Sequence, residues 1–209
     1  DSTGDWSSDV CSSDLEMSSV AARHVYQPLP DGRFGVLMIC SLKTYKGVNE
    51  FVQIARLLRG HQVFKFTLIL GTTQTEVSDF FSSTTIPDNL TIIFGCADVM
   101  PYYQKASVLL SLSKPDEWVE TFGLTILEGL SFGIPCIIPP VGGPIELVSE
   151  DCEGYLMASD RVEDISAKLV FLRENSDVCY RLSNAAKVKS LNFSSEKFES
   201  GVLGVFDGI

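Results

Sequence analysis

Residues 115–135 read Pro-Asp-Glu-Trp-Val-Glu-Thr-Phe-Gly-Leu-Thr-Ile-Leu-Glu-Gly-Leu-Ser-Phe-Gly-Ile-Pro, and the architecture of the chain follows from them. Leu124, Leu127 and Leu130 recur at helical spacing behind Gly123, and Gly133 followed by Pro135 forms a helix stop. The pattern predicts a short helix behind an irregular loop. Its first-turn N–H groups, those of Gly123, Leu124 and Thr125, have no intrahelical acceptor and sit at the positive end of the helix dipole. A phosphate or diphosphate fits that place. Two carboxylates, Glu120 and Glu128, are separated by seven residues. Glu128 falls about a turn and a half inside the helix and Glu120 in the loop before it. Eight residues of continuous helix would rise ~12 Å, so the pair is expected to flank the anion site. Carboxylates accept hydrogen bonds from hydroxyls and repel phosphates. A ligand with hydroxyls at both ends and a diphosphate between them suits such a pair, and a nucleotide sugar is one. Either glutamate alone would ordinarily be a solvated or dipole-capping residue; the combination carries the reading.

The flanking sequence alternates strand and helix patterns. Phe34–Leu42 is an apolar run expected as a buried first strand, followed by the loop Lys43-Thr44-Tyr45-Lys46-Gly47. Val48, Phe51, Val52, Ala55 and Leu58 then follow helical spacing up to Gly60. Further strands are expected at Val63–Leu70, Leu90–Phe94, Ser107–Leu112, Cys136–Ile138 and around Tyr155–Met157. Helices are expected at Gln74–Phe81, Pro101–Lys105, Asp160–Arg173, Asp177–Lys189 and Ser194–Phe206, with a tight turn at Gly142-Gly143. Alternation with short loops predicts an α/β fold: a Rossmann-like parallel sheet of about six strands with helices on both faces. Ligands in such sheets bind beyond the carboxyl ends of the strands. The Lys46 loop and the central loop both follow strands and therefore share that edge.

Composition bounds the partners. Asp5–Leu15 reads Asp-Trp-Ser-Ser-Asp-Val-Cys-Ser-Ser-Asp-Leu, which resembles the in-frame translation of a common sequencing adapter, so residues 1–15 are set aside from fold reasoning as an artefactual or disordered tail. Residues 16–33, with Pro28 and Pro30, read as a linker, and 34–209 as one domain. The net charge is −11, of which Asp1, Asp5, Asp9 and Asp14 supply −4, leaving −7 for the remainder. That balance argues against nucleic acid as a partner and against a polybasic membrane patch. Apart from Cys11, five cysteines are scattered singly with no C-x-x-C spacing, which suggests reduced thiols and a cytoplasmic location. No apolar run is long enough to span a bilayer. No Asp-x-Asp occurs, so neither a metal nor another cofactor is expected.

With Glu120, Phe122-Gly123-Leu124, Glu128-Gly129, Gly133, Pro135, Gly142-Gly143-Pro144 and Glu146 in place, the chain resembles the donor-binding half of family 4 retaining glycosyltransferases of the GT-B fold. Their signature is E-x7-E within E-G-F-G-L-x-x-x-E-A; Thr121 stands here for the Gly and Gly129 for the Ala. The resemblance covers roughly residues 20–209. It implies that Glu128 holds the ribose hydroxyls, that Glu120 contacts the donor sugar near the reacting carbon, and that Lys46 with the amides of Gly123 to Thr125 stabilises the leaving diphosphate. Phe122 and Leu124 belong to that donor-binding turn. The family carries an Arg and a Lys in the first loop; Lys46-Gly47 matches, but Ser41 stands at the Arg position, and Lys43 is the candidate replacement. Gly95, after the third strand, falls where the family approaches the nucleobase through its backbone. The resemblance further implies retaining hexosyl transfer from a nucleotide diphosphate sugar to a hydroxyl acceptor, in cell-surface polysaccharide or glycoconjugate synthesis. It implies an N-terminal acceptor domain as partner, absent from this stretch, so that the fragment by itself is expected to be inactive.

Three other readings compete. A glycoside hydrolase would set Glu120 and Glu128 facing each other across a glycosidic bond, which leaves the Lys46 loop and the free helix end without a role. A nucleotide sugar epimerase of the same fold needs further acid and base groups, and neither His24 nor His61 lies in a motif. An inactive nucleotide-binding fragment would keep the donor site alone.

Overall fold

The computed structural model describes residues 26–193; the helix expected at Ser194–Phe206 and the tail set aside at 1–15 lie outside them. Six strands, β1 (Phe34–Cys40), β2 (Phe64–Leu70), β3 (Leu90–Phe94), β4 (Val108–Leu110), β5 (Cys136–Ile138) and β6 (Gly154–Leu156), form one sheet in the order β3-β2-β1-β4-β5-β6. Every pairing between neighbouring strands is parallel. The helices are α1 (Val48–Leu57), α2 (Gln74–Phe80), α3 (Met100–Tyr103), α4 (Leu124–Ser131), α5 (Val162–Glu174) and α6 (Ser176–Ser190). The chain is thus the expected Rossmann-like α/β fold.

Alternation along β1 explains the two-sided core. Phe34, Val36, Met38 and Cys40 face one layer, where α1 packs against α5; Leu37 and Ile39 face the other, where α4 packs against α6. A strand covered on both faces has no reason to alternate polar with apolar, hence its continuous hydrophobic run. Tyr26, in the lead-in, donates its N–H to Ser183 Oγ at 2.7 Å and lies against the first layer.

Local chemistry sets the element ends. Thr73 and Glu76 form a reciprocal capping box at the start of α2. At the end of α4, Ile134 N–H donates to Gly129 O at 2.9 Å and Gly133 N–H to Leu130 O at 2.8 Å, with Gly133 at φ +70°. This is a Schellman stop, and the left-handed residue is the glycine that the sequence places there. β4 is shorter than the Ser107–Leu112 run predicts. Its last ladder bond is Ser111 N–H to Ile137 O at 3.0 Å, after which β5 ends and the chain turns out over the carboxyl edge.

Candidate donor-binding site

Because all six strands run parallel, the loops after β1, β4 and β5 leave the sheet on the same side, and neighbouring strand order brings them together. Glycines at two of these loops permit an approach that other residues would block. Gly47 adopts φ +78° as the N-terminal neighbour of α1, and a Cβ there would lie 2.2 Å from Leu112 O. Gly143 donates its N–H to Glu120 O at 2.9 Å, and a Cβ on it would lie 1.8 Å from Thr121 O. The first contact seats the Lys46 loop against the exit of β4; the second seats the Glu120 segment against the turn after β5.

Further contacts lock these loops. Lys114 donates its backbone N–H to Tyr45 O at 2.8 Å, and its ammonium pairs with Glu50 of α1 at 2.9 Å. The Tyr45 and Trp118 rings stack at 5.5 Å between centroids. Within this frame Lys46 Nζ donates to Glu120 Oε2 at 2.7 Å. The Lys46 side chain is 5% exposed and that of Glu120 18%, so the pair is shielded from bulk water but open on the carboxylate side.

The pocket beside this pair is bounded by Lys46, Glu120, Gly123, Leu124 and Thr125, with Cys40 at its floor. Gly123, at φ +93°, is the residue before α4, and no side chain caps the helix. The N–H groups at the head of α4 therefore face an open space whose described lining contains one cation, Lys46, and one anion, Glu120. Burial pushes the Cys40 thiol up to about 12, against the pull of Lys46. It remains a neutral, inert wall.

Glu128 lies farther along α4, outside this lining. Tyr103 Oη donates to Glu128 Oε2 at 2.6 Å and to Thr125 O at 3.3 Å, and the Tyr103 ring stacks on Phe132 at 5.3 Å. Burial raises the Glu128 carboxyl above its ordinary range; the Tyr103 hydroxyl opposes that shift. The spacing of the two glutamates thus gives two environments: Glu120 beside the helix head with an ammonium, Glu128 within the helix with a phenol. Tyr103 carries no sequence signal for this role. It reads as an apolar residue of a short helix, and only the contact between α3 and α4 reveals its hydroxyl.

The remaining candidates, Ser41, Lys43, Gly95 and Phe122, lie outside this lining. Ser41 is buried, and its carbonyl accepts from Lys43 N–H at 2.9 Å. The Lys43 side chain is exposed, outside the lining, with its charge felt at Glu76. Gly95 caps β3 at φ +59°, on the same edge but three strands from β4. Phe122 is half-buried and meets the Phe193 ring edge-on at 6.0 Å. Among the described residues no three His, Cys, Asp or Glu side chains cluster closely enough to hold a metal ion, and no helix is long and apolar enough to cross a membrane.

Known proteins share the family and the fold of this chain. Residues 23–189 match the family described as glycosyl transferases group 1. An uncharacterized glycosyltransferase of Methanocaldococcus jannaschii is 30% identical over 53% of this chain and 30% of its own length. The chain spans less than half the length of the curated relatives it matches. Among solved structures, the Anabaena protein HepE in complex with UDP-glucose superposes with a TM-score of 0.70 at 16% identity, covering 85% of this chain and 49% of that one. The C-terminal domain of a glycosyl transferase group 1 family protein from Francisella tularensis superposes at a TM-score of 0.63 and 21% identity, covering 76% of this chain and 85% of that domain. These similarities in structure establish a shared fold with GT-B glycosyltransferases.

Proposed function

The chain belongs to the glycosyl transferases group 1 family, and from that premise we propose that it is the donor-binding half of a retaining hexosyltransferase that uses a nucleotide diphosphate sugar. The observation that carries the proposal is the convergence of Lys46, Glu120 and the uncapped head of α4 on one pocket at the carboxyl edge of the sheet. The UDP-glucose bound to the Anabaena protein of like fold supports the ligand class.

In this reading the diphosphate lies over the amides of Gly123, Leu124 and Thr125, and Lys46 neutralises the charge that grows on it as the sugar leaves. An ammonium has three donors, so Lys46 can hold Glu120 and a phosphate oxygen together. Glu120 accepts from hydroxyls of the donor sugar. Glu128, aligned by Tyr103, accepts from the ribose hydroxyls, and Gly95 offers backbone to the base. With Ser41 in place of an arginine, Lys46 supplies the cationic charge that the lining offers the diphosphate. In the reaction the acceptor hydroxyl oxygen bonds to the anomeric carbon, the bond from that carbon to the β-phosphate oxygen breaks, and the hydroxyl proton passes to the released diphosphate. An acceptor-binding half completes the enzyme, and the donor site works in the cytoplasm. This chain alone binds donor without transferring sugar.

Calorimetry of the chain with UDP, GDP and ADP tests the reading. One diphosphate is expected to bind in preference to the others, at least tenfold weaker after Lys46→Ala or Glu128→Ala. Binding indifferent to both substitutions would place the ligand elsewhere and overturn it.

A further inference from the structure

The site described above does not use the exposed indole beside it. Trp118 is 41% exposed and lies two residues before Glu120 in the segment that leads into α4. One ring face rests on Tyr45, nearly parallel at 24°, the Trp118 backbone N–H donates to Lys114 O at 2.8 Å, and Lys46 Nζ lies 5.8 Å from the ring centroid. The indole is thus stacked on one side and partly in solvent, where its flat apolar body is available to a ligand.

The groove it borders is continuous with the diphosphate pocket. Ser111, Ser113 and Glu120 line both, whereas Trp118, Val141 and Pro144 line only the groove, whose one charged lining residue is Glu120. Its lining therefore combines two chemistries: apolar surface from Trp118, Val141 and prolines, and hydroxyls and a carboxylate from Ser111, Ser113 and Glu120. A pyranose has that same division, with C–H groups on its faces and hydroxyls around its edge. The one charged group in that lining is the Glu120 carboxylate, which repels a phosphate, and an acyl chain would leave the serine hydroxyls unpaired.

We propose that Trp118 is a stacking platform for a pyranose ring in this groove, with Glu120 and the serines taking its hydroxyls. The proposal rests on the donor-site reading above and deepens it. The ring is either the donor's own sugar or a sugar that serves as acceptor, since both must meet at the reacting carbon beside Glu120.

Trp118 and Trp6 are the two tryptophans of the chain, so a Trp6→Phe background makes fluorescence report on Trp118 alone. The chain is titrated first with UDP, GDP and ADP, then with UDP-glucose, GDP-mannose and ADP-glucose, and finally with methyl glucoside and methyl mannoside in the presence of the tightest diphosphate. The expected result is a Trp118 spectral change that requires the sugar. Seen with a sugar nucleotide but not its diphosphate, it assigns the donor sugar; seen with a methyl glycoside, it assigns the acceptor. In calorimetry Trp118→Ala should weaken the sugar-dependent affinity roughly 2- to 12-fold, the span of an aromatic contact. It should weaken diphosphate affinity by less than this, and Trp118→Phe, which keeps an aromatic ring on Tyr45, should retain most of the sugar increment. Diphosphate binding with no sugar effect on Trp118 in any arm, or sugar nucleotide binding unaltered by Trp118→Ala, overturns this proposal alone. Absence of binding by every diphosphate overturns the functional reading on which it rests.

Discussion

Replacing Lys46 by Met should destabilise the chain by about 3 kcal/mol, and adding Glu120→Gln should restore much of that loss. The ammonium is 5% exposed and sits 2.7 Å from a carboxylate that is 18% exposed. Methionine preserves the length and apolar packing of the side chain but leaves Glu120 partly buried without its counter-ion. Breaking a buried ion pair on one side costs about 3–5 kcal/mol, and the partial opening of Glu120 to water puts this case at the lower end. The double variant buries no unpaired charge, so the two substitutions should be non-additive, with a coupling of about 1.5–3 kcal/mol. Urea denaturation of the wild type, both single variants and the double variant at pH 7 measures each term, provided that the denaturant slope is unchanged. A loss below about 0.5 kcal/mol for Lys46→Met, the size of an ordinary surface change, or additivity within that margin, would refute the claim that the pair is buried and mutually dependent.

Three further outcomes are expected. Gly143→Ala would set a methyl group 1.8 Å from the Thr121 carbonyl, and since neither backbone can yield cheaply it should cost about 1–3 kcal/mol and displace Glu120; thermal melts and diphosphate calorimetry read the two effects. Glu128 has its carboxyl raised in the folded state by burial, so its contribution to stability is full below the unfolded pKa and is lost as pH rises through the folded one. Glu128→Gln, which still accepts from Tyr103, should therefore match the wild type near pH 4 and exceed it in stability at neutral pH; a difference independent of pH would contradict the assignment. Tyr103→Phe removes the hydrogen bond that opposes this shift, so carbon NMR of the Glu128 carboxyl should show its titration moving to still higher pH.

What the sequence made legible follows from the range of each interaction. β3 and β5 coincide with the expected Leu90–Phe94 and Cys136–Ile138, because both are short apolar runs closed by chain-bending residues. The α4 stop was equally readable, since one glycine supplies the left-handed turn that the last carbonyls require. β4 was overestimated because Leu112 is apolar for a tertiary reason: it packs beneath Gly47 and not in the ladder. In the site, the helix head and its two glutamates are local in sequence and were visible there. The Lys46–Glu120 pair joins residues 74 apart and the Tyr103–Glu128 bond residues 25 apart, and no periodicity encodes either. Gly142-Gly143 was legible as a tight turn, but its service as the seat of the Glu120 segment emerges only when β4 and β5 are side by side.

The central claim is that the head of α4, Lys46 and the two glutamates together hold one nucleotide. A crystal structure of the chain with its preferred nucleoside diphosphate tests this most directly. The account predicts the diphosphate within hydrogen-bonding distance of the Gly123–Thr125 amides and Lys46 Nζ, with the ribose hydroxyls on Glu128. A nucleotide ordered elsewhere on the domain, or bound here with its phosphates pointing away from α4, would contradict it.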